Sequence, residues 1–128
     1  MRPTSRDTRP VNLDLGTIHL PVTAYASITH RVTGVLMFFS SFLMLWALDK
    51  SLASEASFNE VAAVLSSPVA KVISWAIASV LTYHALAGIK HLIMDAGIGE
   101  TMRGGVVGAR TVFVLAAAAA VLWGLLIW

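Results

Sequence analysis

The sequence predicts an all-α membrane protein with three transmembrane helices. Its 128 residues are 57% hydrophobic and only 12% charged, with a mean hydropathy of +0.77. A soluble domain carries about 25% charged residues, so this chain lacks the charge that a water-exposed surface needs. Three segments also reach the roughly 20 residues that a helix needs to cross a membrane. We expect a single membrane-anchor domain over residues 1–128.

Each span has boundaries that the sequence marks. The spans are predicted over residues 21–48, 68–96 and 108–128. The first contains no charged residue from Val32 to Leu48. Pro68 suits the first turn of the second helix, and Gly97 and Gly99 are expected to end it.

The loop between the first two spans is predicted to hold a short surface helix. Ser57 and Glu60 have the spacing of a capping box at a helix N-terminus. One apolar face of this helix would be formed by Phe58, Val61, Ala62 and Leu65.

Lysine and arginine residues predict the orientation in the membrane. One side carries Arg2, Arg6, Arg9, Arg31, Lys90, Arg103 and Arg110, and the other carries only Lys50 and Lys71. Because cytoplasmic flanks carry the excess of positive charge, the N-terminus is predicted to be cytoplasmic and the C-terminus external. The four tryptophans fall in the outer halves of their spans, as expected of an interfacial belt.

The composition also excludes several functions. The net charge is only +2, and no basic cluster lies on a soluble element, so nucleic-acid binding is not expected. With no cysteine, the chain forms no disulfide and ligates no iron–sulfur cluster through its own sulfur.

His84 lies well inside the second predicted span. It is six residues deeper than Lys90, which marks the end of that span, or about 9 Å along a helix. Ionisable side chains at such depth are rare and usually functional. Proton relay and metal ligation are two functional interpretations of His84, and a hydrogen bond to a neighbouring helix is the structural one.

Two stripes of polar and small residues are predicted to meet at the depth of His84. One stripe consists of His84, Gly88, His91 and Asp95, and the other of Ser27, His30, Arg31 and Gly34. The spacing within each set places its members on one helix face. Antiparallel packing of the two spans would bring both stripes together in a polar pocket, about a third of the way into the membrane.

The predicted pocket has donors suited to haem and to a quinone. A glycine one turn from His84 leaves space for a large flat group, and imidazole is a common axial ligand of haem iron. The Ser27 hydroxyl and the Arg31 guanidinium can bind a carbonyl oxygen, and a guanidinium also pairs with carboxylates such as haem propionates. Gly88 also suits simple helix packing, and Arg31 alone also suits a topology anchor.

A second haem ligand is not found at the depth of His84. The other histidines, His19, His30 and His91, are peripheral. Ligation of haem between two histidines would therefore need an imidazole from a partner chain, which would also complete the helical bundle.

Three motifs resemble a known family. They are RPVNLDL at residues 9–15, SITHRVTG at residues 27–34, and HALAGIKH at residues 84–91 followed by Asp95. Together they resemble the larger membrane-anchor subunit of succinate dehydrogenase, the cytochrome b subunit of respiratory complex II. The resemblance covers nearly the whole chain in motif order and spacing.

The resemblance implies a subunit that works in a complex. Its three helices would form a bundle with a second hydrophobic anchor subunit, in the inner membrane of a bacterium. A flavoprotein subunit and an iron–sulfur subunit would dock on the cytoplasmic side. The chain would have no catalytic activity alone and would position ubiquinone while the other subunits oxidise succinate.

The resemblance also implies roles for individual residues. His84 would be one axial ligand of haem b, and the partner anchor would supply the other. Ser27 and Arg31, with Ile28 beside them, would bind ubiquinone, and His30 and Arg31 would lie near the haem propionates. Lys90 replaces the arginine more usual in this family, which keeps the charge but loses the planar fork.

Two other functions compete with this interpretation. One is a haem-free structural anchor, in which His84 only bonds a neighbouring helix. The other is a small proton-relay or transporter subunit that uses His84, His91 and Asp95. Transporters usually show repeated and interrupted helices, and this sequence shows neither.

Overall fold

Four α-helices, three of them long, make up the part of the chain that the computed structural model describes, residues 14–128. A 3₁₀ turn, Leu15–Thr17, precedes α1 (Val22–Ala53), α2 (Glu55–Leu65), α3 (Pro68–Asp95) and α4 (Met102–Ile127). α1, α3 and α4 are each long and apolar enough to cross a membrane. The prediction of an all-α protein with three spans is therefore confirmed. Arg2, Arg6, Arg9 and most of the first motif lie outside the described residues.

α1 and α4 extend further than the hydropathy pattern predicts. α1 continues through Asp49 and Lys50 to Ala53, and its 32 residues span about 48 Å. That length exceeds the roughly 30 Å of a hydrocarbon core, so α1 projects beyond it. α4 begins at Met102, where the Thr101 side chain accepts a hydrogen bond from the N–H of Gly104 at 3.1 Å. An N-cap of this kind satisfies a backbone donor that the helix leaves unpaired.

The short helix is present, but the predicted cap residue was wrong. α2 is capped by Ser54, whose hydroxyl accepts from the N–H of Ser57 at 3.1 Å. The hydroxyl of Ser57 in turn accepts from the N–H of Ser54, which completes a capping box between two serines. The helix therefore starts at Glu55, whose negative charge suits the positive end of the helix dipole.

The turn between α3 and α4 depends on glycine, as predicted. α3 ends at Asp95, and Gly97 and Gly99 follow with φ of +83° and +76°, where other residues are strained. Position 104 requires glycine for a different reason, because a Cβ there would lie 2.6 Å from the Gly99 carbonyl oxygen. Pro68 occupies the first turn of α3, also as predicted.

α3 and α4 form an antiparallel pair with the most extensive packing in the bundle. A small core joins them, formed by Tyr83, Ala87 and Val112. Ala87 and Ala109 are almost completely buried, and their small side chains let the two helices approach closely. Two indole groups add cross-helix hydrogen bonds. Trp75 Nε1 donates to the Ala120 carbonyl at 2.8 Å, and Trp123 Nε1 donates to Thr82 Oγ1 at 3.0 Å.

α1 packs mainly on α3. The Tyr83 hydroxyl, on a buried side chain, donates to the Ala26 carbonyl at 2.9 Å. The Thr23 methyl lies 3.5 Å from the position that a Cβ on Gly105 of α4 would take. Most large apolar side chains of the three long helices face outward, including Phe38, Phe39 and Phe42 on α1. Such exposure fits a surface covered by lipid or by other membrane helices.

Candidate functional site

The two predicted stripes meet where the start of α1 crosses the end of α3. The helices run antiparallel, so Gly34 lies opposite His84 and Gly88 lies opposite His30. The imidazole rings of His30 and His84 stack with centroids 4.2 Å apart and planes inclined by 21°. His91 lies two turns after His84 on α3, and the centroid of its ring is 5.2 Å from that of His30. His30 is thus in contact with both histidines of α3.

Glycine makes room for this histidine cluster. A Cβ on Gly34 would lie 3.2 Å from His84 Cε1, and a Cβ on Gly88 would lie 3.6 Å from His30 Nε2. Each glycine therefore sits where an imidazole of the opposite helix packs. A larger side chain at Gly34 would have to displace the ring of His84, because 3.2 Å is already a tight carbon contact.

Thr33 connects the two helices at the same level. Its hydroxyl lies 3.1 Å from Nδ1 of His84 and 2.9 Å from the carbonyl oxygen of His30. Apart from Tyr83, Thr33 is the one buried side chain among the described residues that carries a polar group. The contact between Thr33 and His84 is not predicted from the sequence, although Thr33 follows His30 by three residues and so lies on the face of α1 that packs on α3.

Three ring nitrogens of His30 and His84 differ in their surroundings. Nε2 of His30 is buried and has no hydrogen-bond partner among residues 14–128. Nδ1 of His84 bonds Thr33. Nε2 of His84 makes no hydrogen bond within the described part of the chain, and it is not one of the enclosed atoms there. His84 therefore keeps one ring nitrogen available to a ligand or to another chain.

Ser27, Ile28 and Arg31 lie on the open side of α1. Ser27 is half-buried, while Ile28 and Arg31 are exposed. Neither the Ser27 hydroxyl nor the Arg31 guanidinium bonds another described residue. Their spacing of four residues places them on adjacent turns of one face. Both donors are therefore directed to the surroundings of this chain.

Two other residues singled out from the sequence lie apart from the cluster. Asp95 is exposed at the last turn of α3. The side chain of Lys90 packs against Gly108 of α4, where a Cβ would lie 3.3 Å from Lys90 Cε. Glycine at position 108 therefore accommodates the aliphatic stem of Lys90, and the lysine turns towards α4 rather than towards α1.

This chain alone does not complete a metal site within residues 14–128. No group of three histidine or acidic side chains there is arranged to hold a metal ion. His84 offers one nitrogen, so any metal bound through it needs its remaining ligands from a prosthetic group or another chain. The fold and the site together define a multi-pass membrane protein with a histidine cluster where two of its long helices cross.

Comparison with known proteins identifies the family. A profile described as Succinate dehydrogenase/Fumarate reductase transmembrane subunit matches residues 5–125. The succinate dehydrogenase cytochrome b556 subunit of Coxiella burnetii is 40% identical over 121 residues, covering 94% of this chain and 97% of that protein. The protein of the same name from Paracoccus denitrificans is 33% identical over 99 residues, covering 77% and 76%. That from Rickettsia felis is 30% identical over 95 residues, covering 74% and 73%.

The chain belongs to the family of succinate dehydrogenase and fumarate reductase transmembrane subunits. It is a membrane-anchor subunit of complex II, as the three motifs predicted.

Proposed function

We propose that this subunit supplies one axial ligand of haem b through His84 and helps to bind ubiquinone through Ser27, Ile28 and Arg31. The observation that carries the proposal is the histidine cluster itself, in which His84 is held by Thr33 yet keeps Nε2 available. Open donors on the adjacent turns of α1 extend the same site towards a quinone. The name cytochrome b556 subunit, carried by the relatives, supports the haem assignment.

The residues of the cluster fit a shared haem. His84 offers one imidazole nitrogen, whereas Nε2 of His30, whose ring stacks on that of His84, is enclosed. A histidine from the second anchor subunit would supply the opposite ligand. When bound, the haem supplies a one-electron redox centre between the soluble subunits and the membrane.

His30 and Arg31 would contact the haem propionates through atoms that differ in their accessibility. Nε2 of His30 is enclosed, so a carboxylate would reach this ring through Nδ1. Arg31 is exposed and has no ion pair among residues 14–128. Its guanidinium suits a carboxylate or a carbonyl oxygen equally, because it presents several donors in a planar fork.

The quinone role rests on the chemistry of two donors. A quinone accepts electrons at its ring and gains negative charge on its carbonyl oxygens. The Ser27 hydroxyl and the Arg31 guanidinium would stabilise that charge, and Ile28 would contact the ring. The flavoprotein and iron–sulfur subunits would deliver electrons from succinate on the same side of the membrane.

Purification of the complex in mild detergent tests the proposed function directly. We expect this chain to co-purify with a second hydrophobic anchor, an iron–sulfur subunit and a flavoprotein. The reduced-minus-oxidised absorbance spectrum should show a b-type haem. A complete four-subunit complex without haem absorbance would favour the haem-free anchor, and a chain that purifies alone would contradict the assembly.

We also propose an inner-membrane topology with the N-terminus and the α3–α4 turn in the cytoplasm. The support is the excess of lysine and arginine on that side. A reporter fused after Trp128 should be active or labelled only from outside the cytoplasmic membrane, whereas one fused to Met1 should be reached only from within. The reverse labelling pattern would contradict this orientation and would move the quinone site to the other face.

A further inference from the structure

The Thr33 hydroxyl contacts an acceptor and a ring nitrogen at once. The carbonyl oxygen of His30 lies at 2.9 Å and Nδ1 of His84 at 3.1 Å. The Thr33 side chain is only 6% exposed, so water has little access to either contact. The β-branched side chain also has few rotamers in a helix, which fixes the position of the hydroxyl between α1 and α3.

These two contacts determine the direction of each hydrogen bond. A hydroxyl has one proton to donate, and a carbonyl oxygen can only accept. The Thr33 proton is therefore directed to His30, as is usual for threonine bonded to the preceding turn of its helix. The Thr33 oxygen is then left as an acceptor, so Nδ1 of His84 must carry a proton and donate it. His84 is thereby the Nδ1–H tautomer, with its lone pair on Nε2.

We infer that Thr33 is a positioning residue that selects the tautomer of His84 and fixes the orientation of its ring. The inference rests on the proposed function, since it matters only if Nε2 of His84 ligates iron. A histidine ligand commonly donates its other ring proton to a neighbouring acceptor, which fixes the tautomer and increases the basicity of the ligand. Nothing else in the described part of the chain bonds Nδ1 of His84.

The hydrogen bond from His84 should also influence the redox potential. A more basic imidazole stabilises ferric iron over ferrous iron, because it donates more electron density to the metal. Loss of the Thr33 hydroxyl should therefore raise the midpoint potential. Stacking on the ring of His30 would still hold the His84 ring near its place, so haem should remain bound.

A pair of matched variants tests this inference in the assembled complex. Thr33→Val removes the hydroxyl and keeps the shape of the side chain, whereas Thr33→Ser keeps the hydroxyl. We expect Thr33→Val to retain haem but to raise its midpoint potential and to change the low-temperature electron paramagnetic resonance g values. For a one-electron couple, a tenfold weaker preference for ferric over ferrous iron raises the midpoint potential by about 59 mV. Thr33→Ser should match the wild type in both measurements.

The outcomes separate this inference from the proposed function. If His84→Leu leaves the spectrum and potential unchanged, the proposed haem ligation is wrong. If His84→Leu changes them but Thr33→Val does not, only the role of Thr33 is wrong. Should Thr33→Val fail to assemble, Thr33→Ala takes its place with less bulk. If neither Thr33→Val nor Thr33→Ala assembles while Thr33→Ser does, the hydroxyl is needed for assembly and the inference is wrong.

Discussion

Replacement of His84 by leucine is expected to change the absorbance spectrum or the midpoint potential of the haem in the purified complex. Nε2 of His84 is neither enclosed nor hydrogen-bonded within the described residues, and leucine has no atom that ligates iron. Complete loss of haem is not required, because the proposed partner ligand and propionate contacts would still hold it. Spectra of the oxidised and reduced complex, followed by a potentiometric titration, measure the effect.

His91→Leu is the matched control for that experiment. His91 also belongs to the cluster and lies about two turns further along the same face of α3 than His84. Its ring contacts His30 and not Thr33. Its replacement should leave the spectrum of the haem close to that of the wild type. If the His91 variant loses the b-type spectrum while the His84 variant keeps both spectrum and potential, the ligand has been assigned to the wrong histidine.

Replacement of Ser27 by alanine or of Arg31 by leucine is expected to impair quinone reduction without impairing succinate oxidation. Loss of a hydroxyl that pairs with a carbonyl in a dry site costs about 1 to 3 kcal/mol, or roughly 5- to 150-fold in rate. Loss of Arg31 should cost at least as much, because charge-assisted hydrogen bonds are stronger. Succinate oxidation by an artificial soluble acceptor should continue, since it bypasses the membrane site. Rates measured across quinone concentrations with both acceptors give the answer.

Two positions away from the proposed site provide controls for the quinone experiment. Ser40 is further along α1, where its hydroxyl donates to the Leu36 carbonyl, so Ser40→Ala removes a hydroxyl distant from the site. Arg103 is an exposed arginine in the first turn of α4, so Arg103→Leu removes a charge at the same end of the bundle. Both should reduce quinone normally. Wild-type quinone reduction by assembled Ser27 and Arg31 variants would show that the site lies elsewhere, whereas their failure to assemble would make Arg31 mainly an anchor.

The sequence contained enough information to predict the helices and the level at which the site forms. Hydropathy alone located three spans, and Pro68 and Gly97 marked two of their ends. The spacing of His30 and Gly34 on one helix, and of His84 and Gly88 on the next, predicted which faces would meet. These are local periodicities, and the antiparallel arrangement of α1 and α3 then follows because successive membrane spans cross the bilayer in opposite directions.

The contacts that give the site its chemistry could not be predicted in the same way. Thr33 and His84 are 51 residues apart in the chain, and no local pattern relates the rotation of one helix to that of another. The hydrogen bond from Tyr83 to the Ala26 carbonyl could not be predicted either, because every residue has a backbone carbonyl and no sequence pattern marks the one that accepts. The cap of α2 was misassigned by three residues because serine occupies both positions of its capping box.

The unequal packing of the helices has a consequence for biogenesis. α3 and α4 are joined by a small-residue core and two indole hydrogen bonds, whereas α1 is held chiefly through Tyr83 and the histidine cluster. The ribosome releases α1 first, yet its stabilising contacts are with a helix that is synthesised later. Within this chain, α1 therefore lacks its contacts with α3 until α3 is inserted. The histidine cluster cannot form before then, so a haem held through His84 would be bound only after the second long helix is in place.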